Sequence, residues 1–169
     1  MSVPGAGAPI GVRVGVGYDS HRFATGRRLV LGGVEIEHEA GLEGHSDADV
    51  LTHAVIDALC GAAGLGDLGT QFPDDDERWR DADSIDLLRT IVGQLPGAVL
   101  NVDASLVCEA PRIGPLRAEM ERNLAQVLGG AVSVKATTNE GMGWIGRGEG
   151  IACVAVALID AGPPTATRE

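Results

Sequence analysis

Three residues of this sequence could together bind a metal ion: Asp19 and His21 in GYDSHRF, and His53 in HSDADVLTH. Residues i and i+2 of a β-strand point to the same face, so Asp19 and His21 would project together. Two imidazoles and one carboxylate suit zinc with one tetrahedral position left open, as in catalytic sites. A D-x-H pair alone is more typical of a polar strand end in water, so the metal interpretation depends on His53.

His53 falls on a predicted helix over residues 47–62, for which Ser46 fits the N-cap position. Asp49 and Asp57, one turn before and after His53, share its helix face and could accept its second ring proton. The alternative interpretation is a solvated polar face. The apolar residues form a stripe opposite His53, made of Leu51, Ala54, Val55, Ala58, Leu59 and Ala62.

Other residues are suited to phosphate. The same helix start would present free N–H groups beside His45, which makes an anion site. The segment KATTNE places Thr137, Thr138 and Glu140 at a strand end, where hydroxyls can bind phosphate oxygens and the carboxylate can hold Mg²⁺. The strand preference of threonine explains the two threonines equally well.

Composition excludes several classes of function. The chain has 169 residues and a net charge of −11, which argues against a nucleic-acid surface and requires metal ions or helix ends for binding phosphates. The glycine motifs at 64–69 and 141–146 lack the strand–turn–helix context of a dinucleotide site. Neither a signal peptide nor a membrane-spanning apolar run is expected, and the three scattered cysteines suit a reducing compartment, so we predict a cytoplasmic protein.

Hydrophobic patterning predicts one α+β domain over residues 12–159, between a flexible leader at 1–11 and a tail at 160–169. Helices should cover one face of a mixed β-sheet, and a homo-oligomer would cover the other face. On the half-buried strand predicted at 99–107, Leu100, Val102, Ala104 and Leu106 should share the buried face. Strands are predicted at 12–18, 29–36 with a turn at Gly32-Gly33, 99–107, 132–138 and 151–159, a loop at 64–79, and further helices from Ser84 and from Pro115.

The motifs taken together resemble those of the 2-C-methyl-D-erythritol 2,4-cyclodiphosphate synthases, the cyclases of the non-mevalonate isoprenoid pathway. They occur in order from Val12 to Ile159: GYDSHRF, LVLGGVEI, HSDADVLTHAVIDALCGAAGLGDLGTQFPD, NVDASLVCEAPRI and VKATTNEGMGWIGRGEGIACVAVAL. The resemblance implies a phosphorus–oxygen lyase that converts 4-diphosphocytidyl-2-C-methyl-D-erythritol 2-phosphate to the 2,4-cyclodiphosphate and CMP. It also implies a homotrimer with active sites between subunits, with no nucleic-acid or membrane partner.

The resemblance assigns roles to individual residues. Asp19, His21 and His53 match the ligands of a divalent metal, zinc first and manganese or cobalt as alternatives, while Glu140 matches a Mg²⁺ site. His45 and Thr138 match the residues that stabilise the transition state. The implied substrate contacts are Asp19, His21, His45, Ser46, Asp67, Leu68, Gly69, Phe72, Pro73, Asp74, Asp75, Asp76, Cys108, Glu109, Ala110, Pro111, Arg112, Ile113, Gly114, Ala136, Thr137, Thr138, Asn139, Glu140, Trp144 and Arg147.

The chain departs from the family pattern at three of these positions. Arg112 stands where relatives often carry Lys, Asn139 replaces a common Thr, and Trp144 replaces a common Phe. An arginine keeps the charge but holds a phosphate with a planar fork instead of a point charge. We expect these changes to alter affinity and to leave the chemistry intact.

Two other functions fit the same residues. A zinc hydrolase could use the triad to activate water, with Asp49 or Asp57 as general base. A non-catalytic oligomeric module could bind a nucleotide or an isoprenoid, with glycine-rich residues 141–150 lining a trimer channel where Arg147 and Glu149 meet an effector. Structural turns explain those glycines equally well.

Overall fold

The computed structural model describes residues 11–162, so most of the predicted leader and tail lies outside the described residues. Four strands come first, a run of helices follows, and strands and helices alternate from β5 to the last strand. The strands are β1 Val12–Ala24, β2 Leu29–Leu31, β3 Val34–Ile36, β4 Gly41–Leu42, β5 Ala98–Val107, β6 Ala131–Thr137 and β7 Gly150–Asp160. The helices are α1 Val50–Ala63, α2 Leu68–Gln71, α3 Ser84–Val92, α4 Arg117–Leu128 and α5 Gly143–Gly146, with a 3₁₀ turn at Glu77–Trp79.

The main sheet is mixed, which confirms the predicted α+β class. Its strand order is β4-β1-β7-β5-β6, with β5 and β6 parallel and the other pairs antiparallel. Strand β1 pairs with β7 as far as Arg22, so it continues beyond the predicted 12–18. Asp19 and His21 therefore lie within a paired strand, and Asp19 sits opposite Cys153. Their backbones are held by the sheet, which makes them rigid supports for a site.

Helix α1 packs directly on β1 and β7, and two glycines of β1 permit this contact. A Cβ atom at Gly15 would lie 2.0 Å from the carbonyl oxygen of Ala58, and one at Gly17 would lie 2.0 Å from that of Ala54. Any side chain at these positions would push the helix off the sheet. The close approach brings His53 on α1 to the strand that carries Asp19 and His21.

The opposite face of the sheet is apolar and uncovered in the single chain. Val14 and Val16 are 66% and 68% exposed, although valine is one of the residues most often buried in folded proteins. The same face carries further exposed apolar side chains on β1 and β7, namely Val12, Tyr18, Val154 and Val156. Such a contiguous apolar patch is typical of a protein–protein contact.

The predicted burial of Leu100 on β5 is wrong. The pairing of β5 with β7 shifts between Val99 and Asn101, which leaves Leu100 as the extra residue of a β-bulge. Val99 is buried and Leu100 is 42% exposed, whereas Val102, Ala104 and Leu106 are buried as predicted. A prediction from the alternation of apolar and polar residues assumes a regular strand, so it misses a bulge that exchanges the two faces.

The N-cap of α1 is Asp49, and the predicted cap at Ser46 is wrong. The Asp49 carboxylate is fully buried and accepts hydrogen bonds from Thr52 N at 3.0 Å and Thr52 Oγ1 at 2.7 Å. It also accepts from Gly32 N at 2.9 Å and Gly33 N at 2.8 Å, in the predicted turn between β2 and β3. Both glycines have positive φ, as this tight hairpin turn requires. Asp49 thus fastens the start of α1 to the hairpin.

We expect Asp49→Ala to lower the free energy of unfolding by about 3 kcal/mol or more, because the substitution removes a cap and leaves buried donors without acceptors. Urea denaturation followed by circular dichroism measures the change. Asp83 caps α3 from an exposed position by accepting from Ile85 N, so Asp83→Ala is the matched control, with an expected loss of about 1 kcal/mol. Equal losses in the two variants would contradict a special role for the buried carboxylate.

Candidate active site

The three predicted metal ligands converge on one point. Asp19 Oδ2 lies 2.9 Å from His21 Nε2 and 3.0 Å from His53 Nδ1, and the two ring nitrogens are 3.3 Å apart. Ligand atoms bound tetrahedrally to zinc at its usual distances are about 3.3 Å apart. These three atoms therefore fit one divalent ion, and no other group of three such side chains in residues 11–162 does so.

The second nitrogen of each imidazole has an oxygen partner. His21 Nδ1 donates to the carbonyl oxygen of Glu43 at 2.6 Å, which leaves Nε2 free for a metal. His53 Nε2 lies 2.9 Å from Ser84 Oγ and 3.1 Å from Ser46 Oγ. The expectation that Asp49 or Asp57 would accept this second proton is wrong.

The two aspartates fail as partners of His53 because each is engaged elsewhere. The Asp49 carboxylate points to the β2–β3 turn, and Asp57 accepts from Leu68 N at 2.7 Å. The His53 face of α1 is not solvated either, since His53 is only 4% exposed. Helix α3 covers this face and supplies Ser84.

Electrostatics favour an ionised carboxylate in the triad. Burial alone would raise the pKa of Asp19, but the adjoining imidazoles of His21 and His53 hold the pKa well below its usual range. Burial alone would lower the pKa of His21, but the Asp19 carboxylate raises it above its usual value. Asp19 is therefore a carboxylate at neutral pH, the form in which it ligates metals.

A cavity of about 370 Å³ opens beside the triad. His45 and Ser46 line it, so the predicted phosphate-binding pair lies next to the metal ligands. The cavity is also lined by five other predicted substrate contacts, namely Leu68, Gly69, Phe72, Pro73 and Asp74. Trp79 and Leu87 line it as well, although they were not predicted. Asp67, Asp75 and Asp76 do not line the cavity. Asp67 caps α2 by accepting from Thr70 N at 2.7 Å, and Asp76 caps the 3₁₀ turn and pairs with Arg78.

The predicted cytidine-side residues form a second cavity of about 450 Å³. It is lined by Cys108, Glu109, Pro111, Arg112, Ile113, Gly114, Pro115, Ala136, Thr137 and Thr138. The loop around Asn139 and Glu140 is held beside it, because Glu109 Oε1 accepts from Asn139 N at 2.9 Å and Thr138 Oγ1 donates to Glu140 Oε1 at 3.1 Å. Ala110, Asn139 and Glu140 do not line it. This cavity shares no lining residue with the cavity beside the triad, so His45 and Thr138 are not brought together.

Trp144 lines neither of these two cavities. It lines a third cavity of about 660 Å³ together with Ser20, His21, Arg22, Phe23, Gly148 and Glu149. The Arg147 guanidinium is exposed and donates to Glu149 Oε1 at 2.6 Å. His21 lies between this cavity and the triad cavity, since it lines both.

Comparison with known proteins identifies the chain. The family model described as the YgbB family matches residues 12–160. The chain belongs to the YgbB family. This confirms the resemblance drawn from the motifs, because curated members of similar sequence carry the name 2-C-methyl-D-erythritol 2,4-cyclodiphosphate synthase.

Three YgbB-family relatives illustrate the match. The synthase of Symbiobacterium thermophilum is 57% identical over 152 residues, covering 86% of this chain and 97% of that protein. The bifunctional enzyme IspD/IspF of Anaeromyxobacter is 58% identical over 154 residues, and this chain spans 40% of its length. A solved structure of IspF from Plasmodium falciparum in complex with CDP is 32% identical, with a TM-score of 0.77 and coverage of 92% of this chain and 100% of that one. Across residues 11–162, no helix has the length and apolar character needed to cross a bilayer.

The motifs did not reveal every residue of the candidate active site. Ser84 and Asp47 stand behind His53, and Trp79 and Leu87 complete the triad cavity. The Trp79 ring packs edge-on against Phe72 with ring centroids 4.9 Å apart, which supports the loop after α2. Asp47 lies inside the quoted HSDAD motif, but nothing in the sequence indicates that Ser84 reaches the same histidine.

Proposed function

We propose that this chain closes 4-diphosphocytidyl-2-C-methyl-D-erythritol 2-phosphate into 2-C-methyl-D-erythritol 2,4-cyclodiphosphate and releases CMP. The observation that carries the proposal is the triad of Asp19, His21 and His53 beside a cavity lined by His45 and Ser46, in a chain of the YgbB family. The 2-phosphate attacks the β-phosphorus of the same molecule, so no protein nucleophile is needed and positioning provides most of the catalysis. The reaction belongs to the phosphorus–oxygen lyases.

The donor set fits a resident divalent metal. Asp19, His21 and His53 would hold zinc, and the same ligands accept manganese or cobalt. Such an ion, when bound, withdraws charge from a phosphate oxygen. On the cytidine side, the exposed carboxylate of Glu140 is the proposed Mg²⁺ ligand. These cations compensate for the acidic character of the chain when it binds a polyanion.

The remaining residues bind and orient the substrate. Within residues 11–162, His45 Nε2 is buried and has no hydrogen-bond partner, a costly state that a substrate phosphate would relieve. His45 and Ser46 are therefore assigned to the 2-phosphate. The Thr138 hydroxyl, which donates to Glu140 Oε1 without substrate, would turn to donate to the charge that develops during transfer. The loops at 67–69 and 72–76 are assigned to the erythritol part. The segments 108–114 and 136–140, with Trp144 and Arg147, are assigned to the cytidine diphosphate part.

A homotrimer with active sites between subunits would bring the triad cavity of one subunit next to the cytidine-side cavity of another. Within one chain, His45 and Thr138 line cavities that share no residue, although the reaction needs both. The exposed apolar face around Val14 and Val16 supplies a surface through which copies can associate. A neighbouring subunit would then bring its cytidine-side cavity to the triad of the first.

The buried cysteines support a cytoplasmic location. Cys60, Cys108 and Cys153 are all free thiols in the described residues, and burial raises the pKa of Cys60 and of Cys108 to about 11. Unpaired, unreactive thiols are usual in a reducing compartment.

The positions of Asp49 and Asp57 argue against the zinc hydrolase. A general base must reach the water that it activates. Asp49 is fully buried with four donors, Asp57 is bonded to Leu68 N, and neither lines the triad cavity. Cyclisation needs no general base, so the site supports cyclisation better than hydrolysis.

Phosphorus NMR tests the proposed reaction directly. We expect the purified protein, given the cytidylylated 2-phosphate with Mg²⁺ and Zn²⁺, to form the cyclic diphosphate and CMP, and to stop when EDTA is added. Omitting Mg²⁺ alone tests the second cation. Products other than the cyclic diphosphate would favour a hydrolase, and binding without turnover would favour a non-catalytic module.

A further inference from the structure

A chain of polar side chains extends from His53 away from the metal-binding atoms. His53 Nε2 lies 2.9 Å from Ser84 Oγ, and Ser84 Oγ in turn contacts Asp47 Oδ1. Ser84 N donates to the other carboxylate oxygen, Asp47 Oδ2, at 3.0 Å. Asp47 therefore receives both polar hydrogens of Ser84.

The hydrogen-bonding capacity of each group sets the direction of this chain. An ionised carboxylate only accepts hydrogen bonds, so the single hydroxyl proton of Ser84 must point to Asp47. Ser84 Oγ can then only accept from His53, which places the ring proton on Nε2. The lone pair of His53 is thereby left on Nδ1, the atom that lies 3.0 Å from Asp19 Oδ2 and 3.3 Å from His21 Nε2.

We propose that Asp47 and Ser84 are positioning residues that hold His53 in the tautomer and orientation needed to bind the metal. The inference rests on the proposed function only insofar as the triad binds a metal. Partners of this kind behind a ligating histidine raise its basicity, and their loss typically weakens metal binding 10- to 100-fold. Here a serine hydroxyl stands between the carboxylate and the imidazole.

Ser46 does not replace Ser84 in this role. Its Oγ lies 3.1 Å from His53 Nε2 and accepts from Ala48 N at 3.2 Å. Among the residues that the structure describes, no carboxylate accepts its hydroxyl proton, so this proton is available to a ligand in the cavity that Ser46 lines. The two serines thus have different roles, because Ser84 orients the histidine and Ser46 remains free to donate to a phosphate.

Backbone contacts keep the positioning residues in place. Asp81 N donates to the carbonyl oxygen of His45 at 2.8 Å, and Asp47 N donates to that of Ala82 at 3.1 Å. The segment before α3 is therefore fastened alongside the segment before α1. Ser84 is fully buried as the first residue of α3, and such confinement restricts it to a single geometry.

The test is the affinity of the purified full-length protein for Zn²⁺, measured by competition with a chromophoric chelator. We expect Ser84→Ala to weaken binding about 10- to 100-fold and Ser84→Thr, which keeps the hydroxyl, to restore most of it. Thr90→Ala is the matched control, because Thr90 is an exposed hydroxyl on the same helix that donates to Asp86 O. The absorption spectrum of bound Co²⁺ gives a second readout, and we expect its bands to shift in Ser84→Ala only.

Asp47→Asn tests whether the two residues act in series. We expect it to weaken Zn²⁺ binding in the same direction and to add little to the loss in the double variant with Ser84→Ala. Wild-type affinity and an unchanged Co²⁺ spectrum in Ser84→Ala would overturn the inference while leaving the metal site intact. A wild-type protein that binds neither Zn²⁺ nor Co²⁺ would instead overturn the proposed metal site itself.

Discussion

Replacing His53 with alanine is expected to abolish metal binding and to slow cyclisation by about 10³-fold or more. The substitution removes one of three ligand atoms that lie within 3.3 Å of one another, and two remaining protein ligands hold zinc poorly. Metal-assisted charge stabilisation contributes several kcal/mol, and each 1.36 kcal/mol corresponds to a tenfold change in rate. Initial rates of CMP release and metal content by mass spectrometry measure the two effects.

Two controls separate this effect from misfolding. His38 stacks on Phe23 and is neither a triad residue nor part of the triad cavity, so His38→Ala should keep its metal and its rate. His53→Gln replaces the buried ring with a polar chain of similar length, and its circular dichroism spectrum shows whether the fold survives. Near-normal turnover by folded His53→Ala would contradict the assignment of the triad.

The second large effect is expected from Val16→Asp, which should prevent assembly and reduce turnover at least about 100-fold. Val16 lies on the uncovered sheet face and is 68% exposed in the single chain. A carboxylate buried in an apolar contact costs several kcal/mol, and symmetry repeats that cost in every copy. Separated subunits would lack a complete site, since the cavities that contain His45 and Thr138 share no residue.

Analytical ultracentrifugation gives the state of assembly, and CMP release gives the turnover. Gln126→Asp is the matched control, because it adds the same charge at an exposed position on α4, away from the sheet face. A trimeric and fully active Val16→Asp protein would show that this face does not mediate assembly. An active Val16→Asp monomer would show instead that one chain contains a complete site.

The sequence alone determined the local features of this protein. Asp19 and His21 share a strand face because side chains alternate along any strand, whatever it pairs with. The α+β class and the burial of Val102, Ala104 and Leu106 followed from hydrophobic periodicity. The family followed from several motifs in one order along the chain, and the match over residues 12–160 confirms it.

Only the tertiary structure decided which residue caps α1 and which way Leu100 points. Asp49 rather than Ser46 caps α1 because the β2–β3 turn places two further N–H donors around Asp49. Leu100 turned outward because β5 carries an extra residue against β7.

The partner of His53 was also beyond the reach of sequence reasoning. Helix periodicity placed Asp49 and Asp57 near His53, but the partner found in the structure is Ser84, on a different helix. A side-chain hydrogen bond depends on the relative placement of two elements to within a fraction of an ångström. That placement arises when α3 packs on α1, and no spacing within a single element encodes it.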